Sequence, residues 1–193
     1  FAEHALVSGA RYVIIDEVQY KKDDRFILVD DVLKTLQALA HYHRQQFEIP
    51  FIGVTGTNGK TTTKELLNAV LSKTYKTYAT KGNLNNHIGV PLTLLAIDQT
   101  IEIAIIEMGA NHIGEIDFLC RIAEPTHGLI SNVGKAHLEG FGSFEGVKKT
   151  KGELYDWLEA NQGTLFLQGD NPFLKEMAEQ LHIDKVVKYG FSE

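Results

Sequence analysis

Short apolar runs alternate with helical patterns along most of the chain. Runs such as FIGV at residues 51–54 and IAII at residues 103–106 have no polar position, as in strands that are buried on both faces. Between such runs, apolar residues recur at helical spacing, for example at Leu67, Val70 and Leu71. This alternation predicts an α/β fold in which a mostly parallel sheet carries helices on both faces.

The individual elements follow from the same pattern. We predict helices over residues 31–46, 113–123, 144–159 and 172–181, one that opens at Lys60, and one within LTLLAI. Further strands are predicted within ARYVIID, RFILVDD, KTYAT, IEIAIIEMGAN, HGLISNVG, GTLFLQGD and KVVKYGF. Because ligands gather at the carboxyl ends of parallel strands, we expect the functional residues in the loops that follow them.

One of these loops has the composition of a phosphate-binding site. In the stretch FIGVTGTNGKTTTKELL, an apolar strand enters a turn containing Gly56 and Gly59, and a helix opens at Lys60 and Thr61. Backbone N–H groups in such a turn bind phosphate, the lysine reaches the outer phosphates, and the hydroxyl suits Mg²⁺. The full pattern GxxxxGK[ST] requires a glycine where this chain has Val54, so the loop is a variant of the P-loop.

Polar residues follow other predicted strands. Glu107 ends an apolar strand, which is a costly place for a carboxylate unless a cation or hydrogen bonds meet it. It therefore either caps a neighbouring helix or, beside the phosphate loop, binds Mg²⁺. Asn83, Asn132 and His137 also lie at or just beyond strand ends, and His137 taken alone is equally an ordinary surface histidine.

Lys148, Lys149 and Lys151 form a basic cluster near the start of a predicted helix. Such a cluster is by default a solvated charged face. Lysines in that position oppose the helix dipole, however, so an anionic group is expected to compensate them.

Composition narrows the class of protein. The chain has 193 residues and a formal net charge of -6, which argues against a protein that coats duplex nucleic acid. The single cysteine, Cys120, lies in an apolar helical pattern and is expected to be a buried thiol, as suits a reducing compartment. No stretch is apolar enough over sufficient length to span a bilayer, so we expect a cytoplasmic protein without an integral membrane segment.

Five motifs together resemble the ATP-dependent Mur ligases of peptidoglycan synthesis. In order they are GVTGTNGKTTTKELL, TKGNLNNHIGVPLTLL, IIEMGANHIGEI, SNVGKAHLEGFGSFEGVKKTKGELY and LFLQGDNP. The resemblance implies a P-loop NTPase-like central domain, here residues 49–193 and incomplete. It also implies that residues 1–48 are the end of an N-terminal UDP-sugar-binding domain with a linker helix, and that a C-terminal domain is absent.

The resemblance also implies a reaction. GNLNNHIGVP with HLEGFGS is similar to the members that add D-alanyl-D-alanine to UDP-N-acetylmuramoyl-tripeptide. Such enzymes use ATP to convert the tripeptide carboxylate to an acyl phosphate, which the dipeptide amine then attacks. The expected partners are these substrates and no nucleic acid, and the expected state is a monomer. Because residues of a further domain would complete the site, this chain alone is expected to be inactive.

The family's functional residues match positions of this chain, and their roles here are implied by the resemblance. The matching phosphate-binding residues are Gly56, Thr57, Asn58, Gly59, Lys60, Thr61, Thr62 and Asn83. Thr61 and Glu107 would hold one Mg²⁺, and His137 with a carbamylated Lys151 would serve a second. Asp170 and Asn171 would contact adenine, although Gln168 stands where the family has asparagine. Lys60, Glu107, His137 and Lys151 are thus the expected catalytic residues.

Other readings of these residues stay open at this point. Lys60, Thr61 and Glu107 would serve a P-loop kinase or GTPase equally well, or a nucleotide-binding module without catalysis. Another Mur-type ligase or a folylpolyglutamate synthase-like enzyme would share most of the motifs. The kinase or GTPase interpretation leaves GNLNNHIGVP and Lys151 unexplained.

Overall fold

The computed structural model describes residues 1–134 and 141–191 of the chain. The N-terminal part contains helix α1 (Ala2–Val7), strand β1 (Val13–Ile15), a 3-10 turn (Val18–Tyr20), strand β2 (Phe26–Leu28) and helix α2 (Val32–Arg44). The larger part contains β3 (Phe51–Thr55), α3 (Lys60–Leu71), β4 (Thr77–Ala79), α4 (Gly89–Leu95), β5 (Ile103–Glu107), α5 (Glu115–Ala123), β6 (His127–Ile130), α6 (Phe144–Ala160), β7 (Thr164–Gln168), α7 (Pro172–Glu179) and β8 (Lys185–Tyr189).

Six strands form one sheet in the order β4-β5-β3-β6-β7-β8. All the neighbouring pairs in the described part of this sheet are parallel. β3, the strand that enters the glycine-rich turn, lies between β5 and β6, so the loops of three adjacent strands open at one edge. The predicted fold, a mostly parallel sheet with helices on both faces, is confirmed.

The strand β3 shows how the sequence builds both layers. Side chains of a strand point alternately to the two faces, and all five positions of β3 are buried. Phe51 belongs to the larger core beneath α2, α4, α5 and α6, whereas Ile52 and Val54 belong to a second cluster under α3. A Cβ on Gly53 would meet the Met108 methyl group at 2.7 Å, so a side chain here would require the Met108 side chain to move.

The N-terminal residues form a small unit with a core of their own. β1 and β2 pair in parallel, and Val13, Ile15 and Phe26 pack against α1. Helix α2 instead joins the larger core through Ala40, with Phe47 just after it. The helix expected to be a linker is therefore packed on the larger domain along part of its length.

Some boundaries differ from those predicted. Helix α1 had not been predicted, because six residues are too few to show helical periodicity. Helix α4 begins at Gly89, before the LTLLAI segment in which it was predicted. Asn86 Oδ1 accepts hydrogen bonds from the N–H groups of Ile88 (3.1 Å) and Gly89 (2.9 Å), and Pro91 lies in the first turn, where an N–H has no helical partner to lose.

A buried arginine joins α2 to the rest of the fold. Arg44 donates to the carbonyl oxygens of Ala123 (2.8 Å), Glu124 (2.8 Å) and Phe47 (3.0 Å), and its guanidinium carbon lies 3.8 Å from the centre of the Phe51 ring. Ala123 is the last residue of α5, so the cation also faces the negative end of that helix dipole. One side chain therefore stabilises the ends of both helices.

We predict that Arg44→Met lowers the free energy of unfolding by about 3 kcal/mol, because two buried carbonyl groups and one partly buried carbonyl group lose their donor. Urea unfolding of the purified chain measures this difference. Arg25→Met is the matched control, since Arg25 is exposed and pairs with Asp23 at the surface. An Arg44→Met midpoint equal to that of the control would contradict the role assigned to Arg44.

Candidate functional site

The turn after β3 can form only with glycine at its first position. Gly56 has φ 141°, and a Cβ there would lie 2.1 Å from Ser131 Oγ and 3.1 Å from the backbone nitrogen of Asn132. Gly59 has φ 77° and directly precedes α3. The two glycines bring the turn against the end of β6 and leave the first N–H groups of α3 at the sheet edge.

The end of β6 holds this turn in place. The Thr57 N–H donates to the Asn132 carbonyl (3.0 Å), and the Asn58 N–H donates to Asn132 Oδ1 (2.9 Å). Ser131 Oγ donates to the Asn58 carbonyl (2.6 Å). Asn132, predicted only as a polar strand end, thus braces the phosphate loop through both its backbone and its side chain.

Lys60 lies over the turn that it follows. Its Nζ donates to the carbonyl oxygens of Gly56 (2.9 Å) and Thr57 (3.2 Å). Burial lowers the pKa of Lys60, and the nearby charge of Glu107 opposes that shift. An ammonium group in this position adds positive charge to a loop whose N–H groups already favour an anion.

Thr61 and Glu107 meet at the edge where β3 and β5 end. Thr61 Oγ1 donates to Glu107 Oε1 at 3.2 Å, and Asn85 Nδ2 donates to the same oxygen at 2.8 Å. Glu107 is 1% exposed, and within the described ranges its Oε2 has no hydrogen-bond partner. The Glu107 carboxylate and the Thr61 hydroxyl lie together at this edge, and both are oxygen ligands of the kind that a hard divalent cation such as Mg²⁺ prefers.

The loop after β4 contributes Asn85, which was not among the predicted site residues. Asn83 and Thr62 are exposed, whereas Asn85 Nδ2 donates directly to Glu107. Nothing in the run NLNN distinguishes its members by pattern, so the sequence alone does not identify which amide turns inward. Among the described residues, no group of three or more His, Cys, Asp and Glu side chains could hold a metal ion.

Lys151 is buried, which corrects the default prediction of a solvated face at this position. It is 3% exposed, in the third turn of α6, and its Nζ lies 5.4 Å from the centre of the Phe141 ring. Burial, together with the nearby charge of Lys60, lowers the pKa of Lys151 to about 8, while Glu153 and Glu115 act in the opposite direction. Part of the Lys151 population is therefore a neutral amine near pH 8.

Lys148 also departs from the solvated-face prediction. Its Nζ pairs with Glu176 Oε1 at 3.1 Å and with Glu145 Oε2 at 3.4 Å. These two carboxylates supply the anionic compensation that the helix dipole requires.

A cavity of about 660 Å³ connects the phosphate loop with Lys151. Its walls include loop residues, the stretch 85–87, α2 and α5: Asp31, Leu33, Lys34, Gln37, Gly56, Thr57, Lys60, Asn85, Asn86, His87, Gly109, Ala110, Asn111, Glu115, Phe118, Leu119, Phe141 and Lys151. The structure thus brings together residues that are far apart in sequence. His137, the remaining predicted metal ligand, lies outside the described residues.

Asp170 and Asn171, predicted to contact adenine, are at the end of β7 and do not line this cavity. Asn171 Oδ1 accepts the N–H groups of Phe173 (3.0 Å) and Leu174 (3.2 Å), so this residue caps α7. Asp170 Oδ2 accepts the N–H of Phe191 at 2.7 Å. Both residues have structural contacts of their own.

Cys120 is fully buried, as predicted. Burial raises the pKa of its thiol well above the usual value, which makes it unreactive. Through the parts of the chain that the structure describes, no helix has both the length and the apolar character needed to cross a membrane.

The family profile of the Mur ligase middle domain matches residues 54–193. The UDP-N-acetylmuramoyl-tripeptide–D-alanyl-D-alanine ligase of Bacillus subtilis is 44% identical over 177 residues, covering 91% of this chain and 38% of that protein. The Escherichia coli protein of the same name is 40% identical, covering 89% of this chain and 37% of its own length. The chain thus spans well under half the length of these relatives.

A solved structure has the same fold. The MurF ligase from Thermotoga maritima, determined in complex with ADP, superposes with a TM-score of 0.84 at 34% identity, covering 97% of this chain and 43% of that one. Together with the family profile, which matches most of the chain including the phosphate loop, the likeness shows that this chain belongs to the Mur ligase family.

Proposed function

We propose that the protein is an ATP-dependent ligase of peptidoglycan precursor synthesis that joins D-alanyl-D-alanine to UDP-N-acetylmuramoyl-tripeptide. The observation that carries this proposal is the placement of Thr61, Glu107 and Lys151 around the phosphate loop. A site that only binds a nucleotide phosphate would account for Thr61 and Glu107. A buried lysine facing the same cavity suits a site that must also neutralise a second group. The names of the relatives support the choice of substrates.

The reaction must activate a carboxylate, which is a poor electrophile. The terminal carboxylate oxygen of the tripeptide attacks the γ-phosphorus of ATP, and ADP leaves. The dipeptide amine then attacks the acyl carbon, the tetrahedral intermediate collapses, and inorganic phosphate leaves with the new amide formed. The protein contributes chiefly by positioning the reactants and stabilising developing charge.

The phosphate loop performs the first of these tasks in the proposal. The residues from Gly56 to Thr62 surround the β- and γ-phosphates, and Lys60 neutralises the charge that grows on the transferring group. Because Lys60 Nζ bonds only to carbonyl oxygens of the loop in the described structure, it can exchange these weak partners for phosphate oxygens. Asn83, exposed on the neighbouring loop, approaches the γ-phosphate.

Magnesium fits the residues present. Thr61 and Glu107 would hold one ion, and His137 with the carbamate of Lys151 would serve a second; the role of His137 rests on the family resemblance alone. A bound Mg²⁺ would neutralise phosphate charge and orient the oxygens for transfer. Carbamylation would turn the buried Lys151 from a cation into an anion: the ammonium first loses one proton, and the neutral amine then forms an N–C bond to CO₂ with release of a second proton.

The domain arrangement is also part of the proposal. Residues 1–48 would end a UDP-sugar-binding domain, and residues 49–193 would form most of the ATP-binding domain. The packing of α2 on the larger core supports a fixed junction between them. Asp170 and Asn171 would lie at the adenine end, the enzyme would act as a monomer, and its substrates place it in the cytoplasm.

We expect phosphate release by the full-length protein to require ATP, UDP-N-acetylmuramoyl-tripeptide and D-alanyl-D-alanine together. Lys60→Met should lower kcat by about 100-fold or more, because the transferring phosphate loses a fixed cation. A coupled phosphate assay with each substrate withheld in turn measures this requirement. Lys73→Met, on the exposed surface just after α3, is the matched control and should keep wild-type activity.

Phosphate release at the same rate with and without the tripeptide and dipeptide substrates would contradict the proposal and favour an ATPase or nucleotide switch. Transfer to a stable acceptor would favour a kinase. Amide formation with glutamate on a folate would favour a folylpolyglutamate synthase-like enzyme.

Lys151 gives a prediction that depends on carbon dioxide. With its pKa lowered to about 8, the neutral amine that reacts with CO₂ becomes more abundant as the pH rises from 7 to 8. Ligase activity should therefore fall in carefully degassed buffer and recover with bicarbonate, more completely at pH 8 than at pH 7. NMR with isotope-labelled bicarbonate should show a carbamate in the wild type and none in Lys151→Met. Equal activity with and without bicarbonate, and no carbamate signal, would refute this role.

A further inference from the structure

Lys64 has a fully buried side chain in the second turn of α3. A buried ammonium group is costly unless other groups satisfy its charge and its three donors. The family motifs direct attention to Lys60, four residues earlier, and the mechanism proposed above does not use Lys64. Its surroundings show what it does.

The first set of partners belongs to the loop after β4. Lys64 Nζ donates to the Thr80 carbonyl at 2.6 Å and lies 3.4 Å from the Gly82 carbonyl. It also pairs with the exposed Glu65 carboxylate at 2.7 Å. One side chain of the phosphate-loop helix thus holds the start of the loop that carries Asn85.

The second partner is Glu107. Lys64 Nζ lies 4.0 Å from Glu107 Oε2, the buried oxygen that accepts no hydrogen bond from any described residue. Thr80, whose carbonyl Lys64 binds, also accepts the Glu107 N–H on its Oγ1 at 3.0 Å. Lys64 is therefore connected to Glu107 in two ways, by the ion pair and through Thr80, which hydrogen-bonds to both residues.

We propose that Lys64 is a positioning residue for the metal-nucleotide site. Its buried ammonium fixes the Glu107 carboxylate and the loop at residues 80–86 against the phosphate loop. Glu107 Oε1 then keeps its hydrogen bonds from Thr61 and Asn85, and Oε2 stays buried near the Lys64 ammonium. This inference rests on the proposed function, because it concerns the site where that function places magnesium and phosphate.

The geometry separates this role from ordinary helix packing. A lysine needed only for packing would act through its methylene stem, which methionine can replace at similar volume. Methionine would remove the ammonium alone, leaving the Glu107 charge buried without its cation and the Thr80 carbonyl without its donor. Lys64→Met should therefore change the properties that depend on Glu107, namely the effect of Mg²⁺ on nucleotide binding and the stability of the buried carboxylate.

The first test measures ADP affinity of the full-length protein by calorimetry, with Mg²⁺ and with a metal chelator. The ratio of ADP affinity with Mg²⁺ to ADP affinity in chelator should be about tenfold smaller in Lys64→Met than in the wild type. Loss of a residue that supports a metal ligand has an effect of this size. The affinity of Lys64→Met in chelator, and both affinities of the Lys73→Met control, should match the wild type. Equal losses in both conditions, or no loss, would overturn the positioning role.

The second test uses thermal unfolding, which needs no ligand. Lys64→Met should lower Tm in the wild-type background. It should lower Tm much less in a Glu107→Gln background, because the glutamine is neutral and loss of the ammonium leaves no buried carboxylate without a cation. Equal drops in both backgrounds would overturn the coupling. If Lys64→Met alone fails to fold, a folded double variant, Lys64→Met with Glu107→Gln, supports the proposal. Failure of that double variant to fold overturns it.

The two tests also separate this inference from the proposed function. Wild-type protein that bound no ADP in either condition would overturn the proposed function. The unfolding comparison would still decide whether Lys64 holds Glu107.

Discussion

The buried carboxylate of Glu107 constrains everything around it. A charge at the end of a central strand, 1% exposed, is tolerated only where donors and cations surround it. Thr61, Asn85 and Lys64 come to it from two different segments, the phosphate-loop helix and the loop after β4. These contacts fix the relative positions of β3, β5 and the two loops, and so define the geometry of the site.

The same edge of the sheet shows why the fold and the site are hard to separate. Gly56 lets the turn approach Ser131 so closely that no Cβ fits, and Asn132 then holds the turn with two hydrogen bonds. A rigid loop with preset N–H groups loses little freedom when it binds phosphate. On the far side of the cavity, Lys151 lies where burial weakens its hold on a proton. These two environments support the proposed binding of phosphate and of a second anionic group.

Much of this arrangement could be read from the sequence. The uninterrupted apolar runs at β3 and β5 indicated buried parallel strands, and the spacing of Gly56, Gly59 and Lys60 indicated the phosphate loop, because both patterns have direct physical causes. The position of Glu107 at the end of an apolar run showed that its charge needed a partner. Lys151 was recognised through the family motif, while its local pattern indicated a solvated face.

Other parts depended on long-range contacts that no local pattern records. Asn85 rather than Asn83 reaches Glu107 because of the path of one loop, and asparagines in a row look alike in sequence. The sequence pattern around Lys64 indicates only a polar helix position, because its partners Thr80 and Glu107 are distant in sequence. Asn171 was expected to contact the nucleotide, and the structure shows it as the cap of α7. The start of α4 was hidden because Asn86 and Pro91 also suit a loop.

The central claim is that the phosphate of ATP passes to a carboxylate before the amide forms. The most direct test labels the terminal carboxylate of UDP-N-acetylmuramoyl-tripeptide with heavy oxygen and follows turnover by the full-length protein with ATP and D-alanyl-D-alanine. The account predicts that one labelled oxygen appears in the released inorganic phosphate. Phosphate that carries no label from the substrate and takes its new oxygen from water would contradict it.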